Sequence, residues 1–481
     1  MKTILFLIFG ILCVLVCLLL IAVIKTLLTK PKVSTFMPYR NQEREDKYAT
    51  KLSKMVQYET VSIPDENQRD LFLGFHKVLD ELFPLVHEHL DKMEIDGNLL
   101  FHWKGENHDK PIVLMAHQDV VPAEGEWLHG HFSGDYKDGK IWGRGSADTK
   151  CTLMAFLQAI EELLEAGYTP SQDIYVSSSC TEEVGGDGCP KIVEYLKNNG
   201  VKPWLVCDEG GAIVDEPIGG IQGYYAMIGV LEKGQGNLLV KAKSNGGHSS
   251  YPPKNSPIAR LAKFITQLEK HDPMKIQFGK EVEAMFSTIS SYGPFQYRLL
   301  FGNLWLFKPL LKLLLPVISP QACALLKTTI AFTMQSGSDG RNVIPQEATL
   351  NINLRYIPHQ GMKESNQIIK DIAKKYDLEV EEVDCYDYLP PVNIHSDAYH
   401  YVEKTINKVF EGLPTCPYVM TGGTDARFYQ DICDACIRFG PVFYNKAQMS
   451  GMHGLNEYLD AYSLVGAVDF YKTIIQDAKD L

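Results

Sequence analysis

Two adjacent glutamates, Glu182 and Glu183, stand in the segment TEEVGGDG, directly after the apolar run Ile174–Ser179. Carboxylates side by side repel each other. The glycines that follow let other backbone segments come close to them. A loop that only reverses the chain has no need of such a pair. The pair therefore predicts a positively charged partner at the end of this strand.

Other side chains of the kinds that bind metals also lie just after predicted strands, in a glycine-flanked turn or just before a predicted helix. They are His117 and Asp119 in MAHQDVVP, Asp148 in SADTK, Asp208 in VCDEGG and His453 in GMHGLNE. Singly, each has an ordinary explanation as a hydrogen-bonded core histidine, a helix N-cap or a solvated acid. Together they supply imidazole and carboxylate ligands suited to zinc. The set predicts a hydrolytic site with two metal ions, and the cations would hold the paired glutamates.

Alternating strand and helix signals position these residues. Short apolar runs at Pro111–Ala116, Ile174–Ser179 and Trp204–Asp208 have the length of buried strands, and apolar residues at helical spacing run from Cys151 to Gly167. In an open α/β sheet, the loops at the carboxyl ends of the strands line the binding crevice. We therefore predict an α/β fold, a sheet flanked by helices, at whose edge these loops converge.

A region between the two halves of this sheet behaves differently. Tyr224–Ser244 is typical of a hairpin, a helix is expected after Ser256, and Ala348–Pro358 alternates as a half-buried strand. Strands paired on one helical layer predict an inserted α+β domain. The predicted organisation is a membrane anchor with the start of a linker at 1–32, a first catalytic part at 33–228, the inserted domain at 229–391 and a second catalytic part at 392–481.

The N-terminus predicts a single-pass membrane anchor. Ile4–Ile24 carries no charge and is long enough to cross a bilayer core, which takes about 20 helical residues. A cleaved signal is disfavoured because Ile24 runs directly into Lys25 without a small-residue cleavage site. Lysines set the expected orientation: Lys2 precedes the span, and Lys25, Lys30 and Lys32 follow it. This balance favours a cytoplasmic catalytic domain, but a first span can disobey the rule, so the side of the membrane stays open.

A second apolar stretch, Arg298–Val317, is interrupted by Lys308, Pro309 and Lys312. These interruptions argue against a second transmembrane helix. Three interpretations remain open: a helix that covers an apolar groove, a helix that rests on the membrane surface, and a plain packing helix.

Charge and cysteine content exclude other classes. The net charge of −12 argues against nucleic acid as a partner, because phosphate binding needs a basic face. Eleven cysteines, two of them in the apolar N-terminal run, form no small disulfide framework and favour reduced thiols. CDAC at Cys433–Cys436 stands without a second pair and is interpreted as structural.

In motif order and spacing, the chain resembles the dinuclear zinc aminoacylase and carboxypeptidase family, which includes bacterial glutamate carboxypeptidase, succinyl-diaminopimelate desuccinylase and carboxypeptidase S. Thr328–Pro358 and the apolar stretch before it look most like the carboxypeptidase S branch, which also contains enzymes that make and cleave N-fatty-acyl amino acids. The resemblance covers nearly everything after the linker. It implies a zinc-exopeptidase-like mixed sheet with an inserted ferredoxin-like lid and dimerisation domain.

The resemblance also implies residue roles. The implied zinc ligands are His117, Asp148 as the bridge, Glu183, Asp208 as the partner of His117, and His453. Asp119 would orient His117, Glu182 would be the general base, and His248 would stabilise the oxyanion, often from the partner subunit in relatives. The implied substrate-binding residues are Asn342 and Arg355, which would grip the substrate carboxylate, and Gly423 and Thr424 in a lining loop. Cys151 stands where relatives commonly have glycine, which concerns packing and not chemistry.

The implied enzyme hydrolyses an amide or peptide bond next to a free carboxylate. It would hold two Zn²⁺ per chain, with Co²⁺ or Mn²⁺ able to substitute, act on small peptides or N-acyl amino acids, and form a homodimer. A hydrolase or synthase of long-chain N-acyl amino acids is an alternative. A catalytically inactive binding protein on the same fold is another, and a cysteine hydrolase acting through Cys180 is the weakest.

Overall fold

The computed structural model describes residues 2–481, without the side chain of Lys2; Met1 of the predicted anchor range and the Lys2 charge lie outside the description. The helices, in chain order, are α1 (Lys2–Leu28), α2 (Gln42–Val56), α3 (Arg69–Leu82), α4 (Pro84–His89), α5 (Lys150–Glu165), α6 (Gly188–Asn198), α7 (Pro257–Lys270), α8 (Lys280–Ser290), α9 (Phe295–Phe301), α10 (Leu304–Ile318), α11 (Pro320–Ala324), α12 (Met362–Lys374), α13 (Asp397–Val409), α14 (Ala426–Tyr429), α15 (Lys446–Gly451) and α16 (Tyr462–Gln476).

The strands, in chain order, are β1 (Asp91–Ile95), β2 (Asn98–Trp103), β3 (Asn107–Met115), β4 (Asp135–Lys137), β5 (Lys140–Trp142), β6 (Gln172–Ser178), β7 (Leu205–Asp208), β8 (Ala212–Asp215), β9 (Tyr224–Glu232), β10 (Gly234–Lys243), β11 (Gly247–His248), β12 (Thr329–Ser336), β13 (Val343–Ile344), β14 (Glu347–Tyr356), β15 (Glu379–Tyr386), β16 (Thr415–Met420), β17 (Cys436–Arg438), β18 (Phe443–Tyr444) and β19 (Tyr458–Asp460).

A mixed ten-stranded sheet forms the centre of the molecule. Its order is β1-β2-β6-β3-β7-β17-β9-β8-β18, with β16 paired to β9. The middle strands β6, β3, β7 and β17 are parallel, and every residue of β6 and β7 is buried. Helices α2, α5 and α16 pack against one another beside the sheet and share its large apolar core. Parallel strands bring their carboxyl ends to one edge, which is the arrangement that the site requires.

The inserted domain is a separate four-stranded antiparallel sheet in the order β12-β14-β10-β15. Helices α7 and α12 pack against this sheet and bury its apolar side. The strand order and the two crossing helices are those of a ferredoxin-like fold, as predicted. A small ladder of β11 and β13 projects from the same domain.

The predicted hairpin over Tyr224–Ser244 is wrong. Strand β9 pairs with β16 and β8 in the main sheet, and β10 pairs only within the lid. The chain leaves the main sheet between Glu232 and Gly234, a few residues after the predicted boundary at 228. By Val392 it is bonded to the main sheet again, since the Val392 N–H donates to the Val230 carbonyl at 2.8 Å.

Helices α8–α11 fall inside the range predicted as the lid but pack elsewhere. Their apolar side chains form one cluster with the main-sheet residues Met227, Leu231, Cys416 and Val419. The inserted range therefore holds two units: the ferredoxin-like lid, and a helical layer that covers the β9–β16 edge of the main sheet.

Among the described residues, α1 is the one helix that is by itself long and apolar enough to cross a membrane, over Thr3–Leu28. Helices α9 and α10 pass such a test only together, and they are bent by 101° at their junction. Besides α1, the structure therefore has one bent pair of apolar helices, α9 and α10, and no second straight helix of spanning length among the described residues.

Candidate metal centre

Three neighbouring parallel strands deliver several acids and a histidine to one edge of the sheet. Strands β6, β3 and β7 lie side by side, and the chain continues from them into the loops with Glu182 and Glu183, His117, and Glu209. Asp148 arrives on the loop that opens α5. His453 arrives from the C-terminal loop that precedes β19, which is paired with β5. The strand-end pattern seen in the sequence is therefore a real convergence in space.

The first ligand group consists of His117, Asp148 and Glu209. The Nε2 atom of His117 lies 3.1 Å from Asp148 Oδ1 and 3.2 Å from Glu209 Oε1. The ligand atoms all lie within 4.8 Å of one another, which is close enough to hold one metal ion. The His117 ring is buried, so these oxygens and one nitrogen enclose a protected point.

The second ligand group consists of Asp148, Glu183 and His453. His453 Nε2 lies 3.1 Å from Asp148 Oδ2 and 3.1 Å from Glu183 Oε2. Asp148 therefore presents one carboxylate oxygen to each group. This is the geometry of a carboxylate that bridges two cations, and it matches the bridging role that the resemblance implied.

Asp208 requires a correction. The sequence analysis assigned it as the metal partner of His117, but the structure places the next residue, Glu209, there. Both Asp208 oxygens are engaged with the backbone: they accept the N–H groups of Glu209 at 2.9 Å and Ala426 at 2.8 Å. Asp208 is the last residue of β7 and is buried. Its carboxylate fixes the loop that carries Glu209 instead of facing the ligand groups.

Asp119 positions two parts of the centre at once. The Nδ1 of His117 lies 2.9 Å from the Asp119 carbonyl oxygen, which orients the ring, and 3.6 Å from its carboxylate. The same carboxylate accepts the backbone N–H groups of Glu182 at 3.2 Å and Glu183 at 3.1 Å. The predicted orienting role is thus shared between the main chain and the side chain, and the carboxylate also fixes the glutamate pair.

Electrostatics of the centre favour bound cations. Burial lowers the pKa of His117, but Glu209, Asp148 and Glu182 together raise it well above its usual value. Burial raises the pKa of Glu209 to about 8. Hydrogen bonds to Asp148 and Glu183 raise the pKa of His453 to about 10. Several buried carboxylates without counter-charges are unfavourable, and bound divalent cations would supply the missing positive charge.

One buried oxygen tests the fit directly. Glu183 Oε1 is buried and has no hydrogen-bond partner among the described residues. An uncompensated carboxylate oxygen is costly in a protein interior. The donor set of imidazole and carboxylate groups, with this unpaired oxygen among them, fits a zinc-type ion.

Glu182 lies beside the ligands without being one of them. Together with Asp148, Glu183 and Glu209 it lines a cavity of about 390 Å³, but it belongs to neither ligand group. Burial raises the pKa of Glu182 well above its usual value. A carboxylate held next to the cavity with a raised pKa has a stronger affinity for a proton, which suits a group that accepts one as a general base.

Besides the ligand groups, the cavity has an apolar wall. The wall is formed by Val214, Pro217, Met227, Tyr418, Met420, Val442, Met449 and Met452. Of the predicted substrate residues, Gly423 and Thr424 also line the cavity. The combination of charged groups and an apolar wall suits a substrate with a polar amide and an apolar tail.

The other predicted substrate residues lie on the lid. His248 and Asn342 are exposed on the paired segments around β11 and β13, where the Ser249 N–H donates to the Asn342 carbonyl at 3.0 Å. Neither contributes to the cavity wall within residues 2–481. In one chain the structure therefore keeps this pair apart from the ligand groups.

Arg355 is half-buried on lid strand β14. Burial lowers its pKa, Tyr386 counteracts this shift, and Arg427 adds to it. Arg427 lies over the Tyr386 ring at 5.2 Å. A Cβ added to Gly423 would meet Tyr386 Oη at 3.2 Å and Arg427 Nη1 at 3.3 Å. The Arg427 guanidinium therefore lies beside the lining loop, and the sequence motifs did not single it out.

Glu457 is a further residue that the sequence analysis missed. It is fully buried, and its Oε1 accepts the N–H groups of Gly145 at 3.0 Å, Ala147 at 2.9 Å and Asp148 at 3.1 Å. Its Oε2 lies 2.5 Å from Arg144 Nη1. Glu457 thereby ties the loop of the bridging aspartate to the loop of His453. It is the last residue of the motif GMHGLNE, so an acid beside a predicted ligand was the available signal.

Comparison with known proteins gives a family and relatives. Residues 113–477 match the family described as Peptidase family M20/M25/M40. The chain is 36% identical to N-fatty-acyl-amino acid synthase/hydrolase PM20D1 of Xenopus tropicalis, over 91% of this chain and 87% of that protein. It is 32% identical to probable carboxypeptidase S-like 2 of Dictyostelium discoideum, over 90% of this chain and 85% of that protein. The predicted family and branch are confirmed.

Solved structures agree on the fold. The M20 family metallo-carboxypeptidase Sso-CP2 of Sulfolobus solfataricus superposes with a TM-score of 0.68 at 17% identity, over 90% of this chain and 99% of that chain. YXEP of Bacillus subtilis, described as a dinuclear metal binding peptidase from the M20 family, gives 0.55 at 13% identity, over 90% and 98%. The predicted α/β fold with an inserted lid is confirmed.

Proposed function

The chain belongs to peptidase family M20/M25/M40, and from this premise we propose its reaction. It is a metallo-hydrolase of the carboxypeptidase and aminoacylase type, which cleaves an amide bond next to a free carboxylate. The observation that carries the mechanism is the pair of ligand groups that share Asp148. Long-chain N-acyl amino acids are the favoured substrates, and small peptides are the second candidates.

The two metal positions would share Asp148 and otherwise have different ligands. His117, Glu209 and Asp148 would hold one ion, and Asp148, Glu183 and His453 the other. Imidazole and carboxylate ligands favour zinc, and Co²⁺ or Mn²⁺ would substitute. When bound, the two ions would supply Lewis acidity and lower the pKa of the attacking water towards about 7.

Glu182 would be the general base. Its side chain lines the cavity beside both ligand groups, and its loop is fixed because the Asp119 carboxylate accepts its N–H. Glu182 would take a proton from the attacking water and hand it to the leaving amine. Its raised pKa suits both halves of this transfer, since the group must bind the proton and then release it.

His248 would stabilise the oxyanion from a second chain. It is exposed on the lid, and its Nδ1 lies 2.8 Å from Ser250 Oγ, which holds the ring and leaves Nε2 for a substrate oxygen. It stands apart from the cavity of its own chain, so a homodimer would bring it to the partner's site. The lid offers β12 as an exposed edge strand for such an association.

Substrate groups would be divided between the two ends of the cavity. Arg355 would bind the carboxylate together with Asn342 of the partner subunit, which would arrive with the same lid segment as the partner's His248. Gly423 and Thr424 would line the path to it. The apolar wall would hold the acyl chain, and this wall is the feature that favours long-chain N-acyl amino acids over peptides.

The N-terminal helix α1 would be a single-pass membrane anchor. Its apolar length is sufficient for a span, and its exposed side chains have no protein partner that would explain them. An acyl-chain substrate and an anchored enzyme are chemically consistent, because such substrates partition into lipid.

A substrate panel would test this function. The full chain, purified in detergent, is assayed on N-acyl amino acids of increasing acyl length and on dipeptides, with and without a chelator. We expect metal-dependent hydrolysis that rises with acyl length. Faster turnover of dipeptides would favour the peptidase alternative. No turnover of any amide would favour the inactive binding protein.

A further inference from the structure

Helix α10 is apolar on two opposite sides. Leu304, Leu311 and Leu315 are buried against the helical layer and main sheet. The opposite side carries a continuous exposed apolar stripe: Trp305, Leu310, Leu313, Leu314, Val317 and Ile318. Leu313 and Val317 are 73% and 81% exposed. A helix of a water-soluble domain normally presents polar residues on such a side, so this stripe indicates a second apolar environment.

The helical layer is fixed to the end of α1. The Asn303 amide, directly before α10, donates to Thr26 Oγ1 at 3.0 Å. The Arg298 guanidinium donates to the Thr29 carbonyl at 2.6 Å, and the Lys32 N–H donates to the Ser291 carbonyl at 2.9 Å. These bonds hold α10 where α1 ends, which is the level at which a membrane helix would leave the lipid.

The dimensions of α10 suit a helix that lies within one leaflet. It has 15 residues, so it is about 22 Å long at 1.5 Å per residue and too short to span a bilayer core of about 30 Å. It meets α9 at a bend of 101°. Trp305 near one end is the residue type that favours the lipid interface, and Lys308 is paired with Glu283.

We propose that the exposed stripe of α10 is buried in the lipid leaflet next to α1, so that the enzyme is held on the membrane at two places. This inference rests on the proposed anchoring role of α1. The bonds between α1 and the helical layer favour lipid over a second copy of the chain, because they fix the start of α10 to the end of a helix that would already be in the bilayer.

The same placement brings the substrate cavity close to lipid. Met227, Val214 and Tyr418 line the apolar wall of the cavity, and they also pack against the cluster formed by helices α8–α10. One layer of helices therefore separates the acyl-chain wall from the proposed lipid contact. We expect the stripe to matter for substrates that are dissolved in the membrane and not for those dissolved in water.

Fluorescence quenching by brominated lipids tests the contact. The full chain is reconstituted into phosphatidylcholine vesicles with plain or brominated acyl chains, and Trp305→Phe serves as the matched control. The other tryptophans are Trp103, Trp127, Trp142 and Trp204, all outside α10. We expect bromine to quench the wild type more than the variant, because only the wild type has a tryptophan in the leaflet.

The experiment distinguishes failure of the anchor proposal from failure of the α10 contact. If the chain is removed from vesicles by alkaline carbonate, α1 is not an anchor, and both the anchor and the α10 contact are overturned. If it stays bound and the two proteins are quenched equally, only the α10 contact is overturned. Absent quenching together with a cross-link between chains through Leu313→Cys would instead assign the stripe to a second copy.

Activity gives an independent readout. Leu313→Glu with Val317→Glu changes two highly exposed side chains, and Ile258→Glu on lid helix α7, 44% exposed, is the matched control. We expect the double variant to hydrolyse a vesicle-dissolved N-oleoyl amino acid several-fold more slowly and an N-acetyl amino acid at the wild-type rate. Equal rates for all three proteins on the vesicle substrate would overturn the proposal.

Discussion

Replacing Glu209 by glutamine separates the two candidates for the metal partner of His117. Glu209 Oε1 lies 3.2 Å from His117 Nε2, whereas the Asp208 oxygens accept two backbone N–H groups. Glu209→Gln keeps the shape but removes the charge that one cation needs. The other ion keeps Asp148, Glu183 and His453. We therefore expect the variant to bind one metal ion tightly and the other weakly.

The expected loss of metal affinity follows from the position of each acid. Removing a residue that only orients a ligand costs about 10–100-fold in metal affinity, so loss of a ligand should exceed about 100-fold, or about 2.8 kcal/mol. Asp208→Asn is the matched control. Asparagine can accept one of the two N–H groups and leaves the other buried donor unpaired, which costs about 1–3 kcal/mol of stability. This change should preserve two metal ions per chain at saturation.

Metal content after dialysis against a fixed free-zinc concentration, followed by calorimetric titration, is the assay. We expect about one ion for Glu209→Gln and about two for Asp208→Asn and the wild type on the two-metal template. Thermal unfolding checks that both variants are folded. The assignment is refuted if Asp208→Asn loses one ion while Glu209→Gln retains both.

The remaining predictions concern the base, the metals, the loop support and the lid. Glu182→Gln should keep both ions and lose roughly 10²–10⁴ in turnover, measured beside its metal content; near wild-type activity would show that another group is the base. A chelator should abolish hydrolysis and added zinc should restore it, and an active metal-free protein would contradict the mechanism. Glu457→Gln should destabilise the main domain by about 3–5 kcal/mol in thermal or urea unfolding, since it removes the carboxylate that balances the buried Arg144 charge. His248→Ala mixed with Glu182→Gln should regain activity in mixed dimers that hold one intact site; no recovery despite subunit exchange would exclude action from the partner subunit.

Much of the centre could be predicted because its ligands follow buried parallel strands. Short apolar runs that end in histidine or acid identify β3, β6 and β7, and parallel strands must bring those ends to one edge. The fold class followed from the same alternation of strands and helices. These features depend on local pattern, which a single sequence contains.

The choice between Asp208 and Glu209 could not be made from local pattern. Both are acids at the end of one strand, and a shift of one residue reverses the face on which a side chain lies. The N–H of Ala426, which comes from a distant loop, donates to the Asp208 carboxylate. This bond leaves Glu209 as the acid that faces His117. The support that Glu457 gives to the Asp148 loop is equally non-local.

The hairpin was mispredicted for a similar reason. Glu232, the last residue of β9, and Lys233, which joins β9 to β10, have the polar character of a hairpin turn, yet both are buried. Arg438 donates to Glu232 at 2.9 Å, and the Lys233 ammonium donates to the carbonyls of Ala324 and Lys327, both at 2.9 Å. Polar residues at a domain crossing thus resemble those of a turn, because partners supplied by distant segments are invisible in the sequence.

The stretch Arg298–Val317 stayed ambiguous in the sequence because periodicity identifies which residues share a face and not what that face meets. The structure settles one side of α10, where Leu311 and Leu315 join the cluster on the main sheet. It leaves Leu313 and Val317 exposed, on a helix whose start is bonded through Asn303 to the end of α1. A sequence with two apolar faces needs two apolar environments, and the described residues 2–481 supply only one of them. The second must come from outside the chain, which is why lipid contact at α10 is a question for vesicles and not for further sequence comparison.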